Sequence, residues 1–386
     1  MMAIDLESTK ARLLRVRGYL AQDPKNLNLL AEAADLSLSL GQMDEARSAI
    51  DLALEVCPGE PHFRSRLSTV ALVQHRWDDA IAMCQSLIAD THSAPAIRYN
   101  LARALCYAGK YEDAKGLLEG LMDEEGLPDD VAHLLIRALH SLGDVDGAIA
   151  VAKKRLDGHP DDYDAAGMLS LLYIDNSDNA SARDWSAKAL DGAPNNVDAL
   201  LTSGTLHLAS EDDKAADETF GAVLASNSDN GRAWLGKAIA KLQRLDLPGA
   251  RVDFEQAIRY MPTHIGTWHG LAWVQLLQGE LDAAAISFEK ALELDRNFSE
   301  SQGGMAVIAA YRGQWSEAEA LGKVALKLDP QSFSGLFVQS LVLQRSGRNE
   351  TAQKLIERVL RSNQAPGGGT LADMLMRVAS RNQRRH

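Results

Sequence analysis

Aromatic residues are scarce in this chain, at 5% against 46% hydrophobic residues overall. Whatever packs here therefore packs chiefly on alanine, leucine and their kin, as closely apposed helices do. Cysteine is nearly absent as well. Cys57, Cys84 and Cys106 are odd in number and lie 27 and 22 residues apart, with no CxxC pair and no disulfide framework. A reducing compartment suits such a chain, and the cytoplasm is the expected location. No run of eighteen apolar residues is present, so no membrane span is expected. Asp5, Glu7, Lys10 and Arg12 interrupt any apolar core of a signal peptide at the N-terminus. Positive charge is also in deficit. A net charge of −13 opposes general binding to a phosphate backbone, so nucleic acid is not an expected partner.

Catalytic motifs are missing too. There is no GxSxG elbow, Walker loop, HExxH, EF-hand loop or dinucleotide fingerprint with its acidic partner. His133 and His140 lie seven residues apart on one helix face, but Arg137 between them works against a divalent metal. No catalytic residue, cofactor or metal is expected.

What is present is a period. Alanine recurs every 34 residues at Ala46, Ala80, Ala114, Ala148, Ala182, Ala216, Ala250, Ala284, Ala318 and Ala352. Repetition of this kind marks stacked helical hairpins, each meeting its neighbour in the same geometry. With units starting at residues 27, 61, 95, 129, 163, 197, 231, 265, 299 and 333, that alanine takes position 20. Position 28 is always large and apolar, from Leu54 and Ile88 to Leu326 and Leu360. Position 15 is glycine in six units: Gly41, Gly109, Gly143, Gly279, Gly313 and Gly347. Position 32 is proline in five, at Pro58, Pro160, Pro194, Pro262 and Pro330.

The spacing reads as helix, turn, helix, turn. Apolar positions 4, 7, 8 and 11 form one helical stripe, and 20, 24, 27 and 28 form another. Glycine at position 15 suits the left-handed residue that ends the first helix. Proline at position 32 fits the linker to the next unit. No segment alternates as a strand would.

These residues closely resemble the tetratricopeptide repeat family. The unit from Ile265 carries Trp268, Leu271, Ala272, Gly279, Ala284, Phe288, Ala291 and Leu292, with Arg296 where proline is usual. The unit from Gly231 carries Trp234, Ala238, Ala250, Phe254, Ala257 and Pro262. Units five and six depart most, since Ser177 and Glu211 replace the turn glycine, and they are expected to be locally weaker. The resemblance implies an all-α, right-handed α-solenoid of ten repeats over residues 27–366. Residues 1–26 are expected to supply a capping helix, with Val16, Tyr19 and Leu20 in register. Residues 367–386 are read as a glycine hinge, a capping helix carrying Leu371, Met374, Leu375 and Val378, and a basic tail.

The resemblance also implies that the first helix of each hairpin lines a concave wall through positions 2, 5, 6, 9, 12 and 13. Two candidate patches follow. Units two to four offer a basic set: Arg66, Tyr99, Asn100, Arg103, Tyr107, His133, Arg137 and His140. Units six to ten offer an apolar set: Leu201, Leu208, Leu235, Ile239, Leu242, Trp273, Leu276, Leu277, Val307, Tyr311, Phe337, Val338 and Leu341. Among the latter sit Gly236, Gly266, Gly270, Gly303 and Gly304, which are expected to thin the wall, and Trp273 is the foremost anchor candidate. The expected function is a non-catalytic scaffold, adaptor or chaperone holding a partner polypeptide in the groove, with self-association through the apolar part possible. Two further classes stay open: a subunit of an envelope, secretion or pilus-type apparatus, and a regulatory or glycan-handling subunit of an enzyme complex.

Overall fold

The computed structural model describes residues 6–90, 93–124 and 126–362. Among them are 21 α-helices and no strand. The chain divides into two compact units between Ala165 and Ala166.

In the first unit, α1 (Leu6–Leu20) precedes α2 (Leu27–Ser39) and α3 (Met43–Val56), then α4 (Pro61–Val73) and α5 (Trp77–Ala89). There follow α6 (Pro95–Tyr107) and α7 (Tyr111–Glu119), α8 (Val131–Ser141) and α9 (Val145–Gly158), and the start of α10 (Tyr163–Asp175). In the second unit, α11 (Asn179–Gly192) completes that hairpin. The next pairs are α12 (Val197–Ala209) with α13 (Asp213–Ser226), α14 (Gly231–Gln243) with α15 (Leu247–Tyr260), and α16 (Ile265–Leu277) with α17 (Leu281–Leu294). The final pairs are α18 (Ser299–Tyr311) with α19 (Trp315–Leu328), and α20 (Phe333–Arg345) with α21 (Asn349–Ser362).

Every position-20 alanine is buried, from Ala46 to Ala352, because the two helices of a hairpin cross there with no room for a larger group. Residues at position 27, such as Leu87, Val223, Ala257 and Ala291, are also buried, whereas most position-28 residues are only partly covered. Position 27 therefore faces the interior more directly than position 28.

α1 covers the open end of the first hairpin with Leu13 and Val16, which pack on Ala33 and, less fully, on Leu29, Leu36 and Leu40. Leu20 joins them, but Tyr19 does not, being 58% exposed. Leu13 takes its place, one turn before Val16 on the covered side of the helix. The expected C-terminal hinge, helix and tail lie outside the described residues.

Candidate functional site

Position 5 or 9 of one first helix lies beside position 2 or 6 of the next, and here much of the expected basic patch is consumed. Arg66 forms two hydrogen bonds with Asp35, both at 2.7 Å, and these bonds hold its guanidinium more firmly protonated. Asn100 donates to Thr69 at 3.2 Å. Tyr99 is buried, and its hydroxyl donates to Asp130 at 2.7 Å; burial first, and then that bond, raise its pKa. Each of these three partners is 31 residues away, on the neighbouring first helix and three positions off the 34-residue register.

His133 is engaged differently. Its Nε2 lies 3.0 Å from both oxygens of Asp162, which also receives Arg155 Nε at 2.6 Å and the Ala165 amide at 3.0 Å. Burial alone would raise the Asp162 carboxyl, but the amide and the two basic groups outweigh it and hold it below its ordinary range. Tyr99 and His133 are therefore not open groove residues. Tyr99 is part of the core, and His133 helps join α8, α9 and the chain entering α10.

Arg103 and Tyr107 remain accessible. Arg103 forms no ion pair among the described residues, and its guanidinium carbon lies 5.9 Å from the Tyr107 ring centre. Tyr107 is 54% exposed and stacks on Trp77 at 4.9 Å with 17° between the planes. His75 meets the same indole edge-on at 5.0 Å. Arg137 is exposed and His140 half-buried. The sequence reading omitted His75 and Trp77 because they belong to the turn and the start of the second helix. The signal for them was the thirty-residue offset that brings position 17 of one unit to position 13 of the next.

The apolar wall of the later repeats is also largely filled from within. A Cβ added at Gly236, Gly270 or Gly304 would come within 3 Å of the Phe220, Phe254 or Phe288 ring, respectively. These phenylalanines stand at position 24 of the preceding second helix. At Gly303 an added Cβ would come 2.5 Å from Ser334 Cβ and 2.7 Å from the Gly335 nitrogen, so α18 and α20 meet backbone to backbone. At Gly266, which is exposed, an added Cβ would meet only the His264 ring, at 3.1 Å. The other four glycines do not thin the wall. Those four admit a ring or a neighbouring helix.

Val307, Leu276, Leu201, Leu208 and Val338 are buried and belong to the core, not to a binding surface. Leu235, Ile239 and Leu242 are partly covered against Ala250 and Phe254. Phe337 and Leu341 pack in the same way on the cluster around Phe288 and Val307.

Trp273 is partly covered as well. Its indole N–H donates to His269 Nε2 at 3.0 Å, and its ring meets Phe288 at 6.2 Å and Phe333 at 5.8 Å. With Nε2 accepting, His269 Nδ1 carries the proton and donates to Ser301 at 3.2 Å. Burial pushes this imidazole down to about 4. Leu277 and Tyr311, 55% and 57% exposed, are the members of the apolar set that face solvent most fully.

Among the described residues no group of three or more His, Cys, Asp or Glu side chains could hold a metal ion, and no helix is long and apolar enough to cross a membrane.

Tandem helical hairpins, with alanine at each crossing and side-chain bonds from one first helix to the next, define an α-solenoid of protein-interaction type. Tetratricopeptide repeat signatures match residues 71–139, 134–197, 201–262 and 265–298. The chain belongs to the tetratricopeptide repeat family. Among solved structures it is similar to the APC/C hetero-tetramer Cut9–Hcn1, with 13% identity over 92% of this chain and 84% of that one, at a TM-score of 0.55. It is also similar to the human IFIT1 dimer with m7Gppp-AAAA, with 14% identity over 93% of this chain and 96% of that one, at a TM-score of 0.53. At such identities the likeness is one of fold. No curated protein matches the chain in sequence.

Proposed function

We propose that this chain is a non-catalytic scaffold that holds a partner polypeptide against the wall of its first helices. One observation carries the reading. Arg66, Tyr99 and Asn100 on that wall are bonded to the neighbouring repeat, yet Tyr107, Leu277 and Tyr311 each leave more than half of a large side chain in water at the same position 13. Rigid, half-covered aromatic and leucine side chains beside satisfied polar neighbours are what an interface anchor requires. Family membership supports the same reading. The net charge of −13 favours a polypeptide over an RNA such as the one seen with IFIT1. Free cysteines, with Cys84 and Cys106 buried, are consistent with the cytoplasm.

The test is site-specific photocrosslinking in cells that produce the protein. A photoreactive side chain would be placed at Tyr107 or Tyr311 on first helices, and at Ile286 on a second helix, where the native residue is 59% exposed. Discrete protein adducts should form from the two tyrosine positions. Adducts confined to Ile286, or none at all, would remove the proposal.

A further inference from the structure

The turn end of the second and third repeats carries a continuous stack that packing of the hairpins does not require. Arg103 lies by Tyr107, Tyr107 on Trp77, and Trp77 against His75. The equivalent junction between the last two repeats holds Arg345 over Trp315 at 4.6 Å, so contact between positions 13 and 17 is a recurrent joint. What differs here is a second aromatic ring, more than half exposed, with a cation one turn above it and an imidazole below.

Three further observations mark the stack. His75 is exposed and has φ of 58°, in a position where six other repeats place glycine. Holding a β-carbon in that conformation costs about 1 kcal/mol, and here it sets the imidazole against the indole. Secondly, Val73, two residues before His75 in the chain, leaves 44% of its surface in water. The third concerns charge. Asp78 takes Lys110 at 3.0 Å and Asp79 takes Arg76 at 3.3 Å, so the nearby carboxylates are already answered. Arg103 has no carboxylate partner among the described residues. In a chain carrying excess negative charge, Arg103 is thus a guanidinium left over at the edge of the stack.

We propose that this stack is a docking platform for an acidic peptide segment with an aromatic or proline side chain next to its carboxylates. The proposal rests on the scaffold reading above and names the chemistry of the partner. A carboxylate would bond the Arg103 guanidinium in the plane that the Tyr107 ring leaves open, and the neighbouring apolar side chain would lie on Tyr107. A cationic peptide would meet Arg103 head-on. A nucleobase could stack on the rings, but its phosphates would meet a strongly acidic protein.

Fluorescence anisotropy with the full chain tests this. The probes are a labelled peptide alternating glutamate pairs with Phe-Pro, the same peptide with lysine for glutamate, and oligouridine RNA. The acidic peptide should bind, and its affinity should fall with added salt. Arg103→Glu and Tyr107→Ala should each weaken it about tenfold while melting as the wild type does. His75→Gly should melt higher and yet bind more weakly, which a purely structural role would not produce. The proposal is overturned by no binding up to about millimolar peptide, by equal or tighter binding of the lysine peptide or the RNA, or by unchanged binding in the variants. Should crosslinks from Tyr107 and Tyr311 persist while the acidic peptide fails, this assignment falls and the scaffold reading stands.

Discussion

At the scale of single residues, position 15 shows how firmly the hairpin dictates backbone shape. All ten residues there have positive φ, and four are not glycine: His75 at 58°, Ser177 at 59°, Glu211 at 65° and Leu245 at 59°. A first helix that must turn back on itself ends in the left-handed region whatever side chain is present. Leu245→Gly and Glu211→Gly should therefore each stabilise the protein, by about 0.5–1 kcal/mol, as relief of strain exceeds the entropy cost of glycine. Thermal melts of the two variants check this, and lower melting temperatures would count against it.

His269 carries the second residue-scale prediction. Its folded pKa, near 4, lies below the ordinary value of 6.5, so between those pH values the unfolded chain takes up a proton that the native one refuses. The stability it contributes is complete above pH 6.5 and is lost as the pH falls toward 4. Discounted for the partial exposure of the ring, the loss should be about 2 kcal/mol. In His269→Phe this component should vanish from the difference between denaturation curves at pH 7 and pH 4.5. An equal loss in wild type and variant would show that other groups govern the acid limb.

At the scale of elements, the later repeats are keyed by size. Phe220, Phe254 and Phe288 at position 24 face Gly236, Gly270 and Gly304 at position 6 of the next unit. In the next pair the sizes are exchanged: Gly322 stands at position 24 and Val338 at position 6, with 3.0 Å between Val338 Cγ1 and a Cβ added at Gly322. Overpacking by Gly304→Val should cost about 3 kcal/mol. Combining it with Phe288→Gly should cost clearly less than the sum of the two single changes, because the double variant copies the natural Gly322–Val338 pairing. A double-mutant cycle measures the coupling, and strict additivity would show that the two sites do not share space. The same keying explains why Trp273 was less available than its place in the repeat suggested. Glycines that read as open wall are occupied by rings from behind, and Trp273 itself leans on Phe288 and Phe333.

At the scale of the whole molecule, each hairpin contacts chiefly its neighbours, so damage should remain local. Ala284 is fully buried between α16 and α17, and Ala284→Arg places an unpaired cation in that crossing, at about 3 kcal/mol or more. Native-state hydrogen exchange should show early loss of protection around residues 265–300, while amides of residues 6–165 keep theirs. A uniform loss along the chain would mean that stability is not distributed by repeat.

The sequence alone determined the helical class, the starts of the hairpins and the alanine crossings, because each depends on a local pattern repeated ten times. One start was shifted: the eighth helix begins at Val131, two residues after the unit boundary at Asp129. Tertiary structure decided which wall residues remain available. Asp35 meets Arg66, Thr69 meets Asn100 and Tyr99 meets Asp130 across an offset of 31 residues, while Val307 and Leu276 sink into the core. No helical periodicity reports these pairings. Which face of a first helix is open depends on the side chains of the adjoining repeats, and their sizes and charges vary while the backbone period does not.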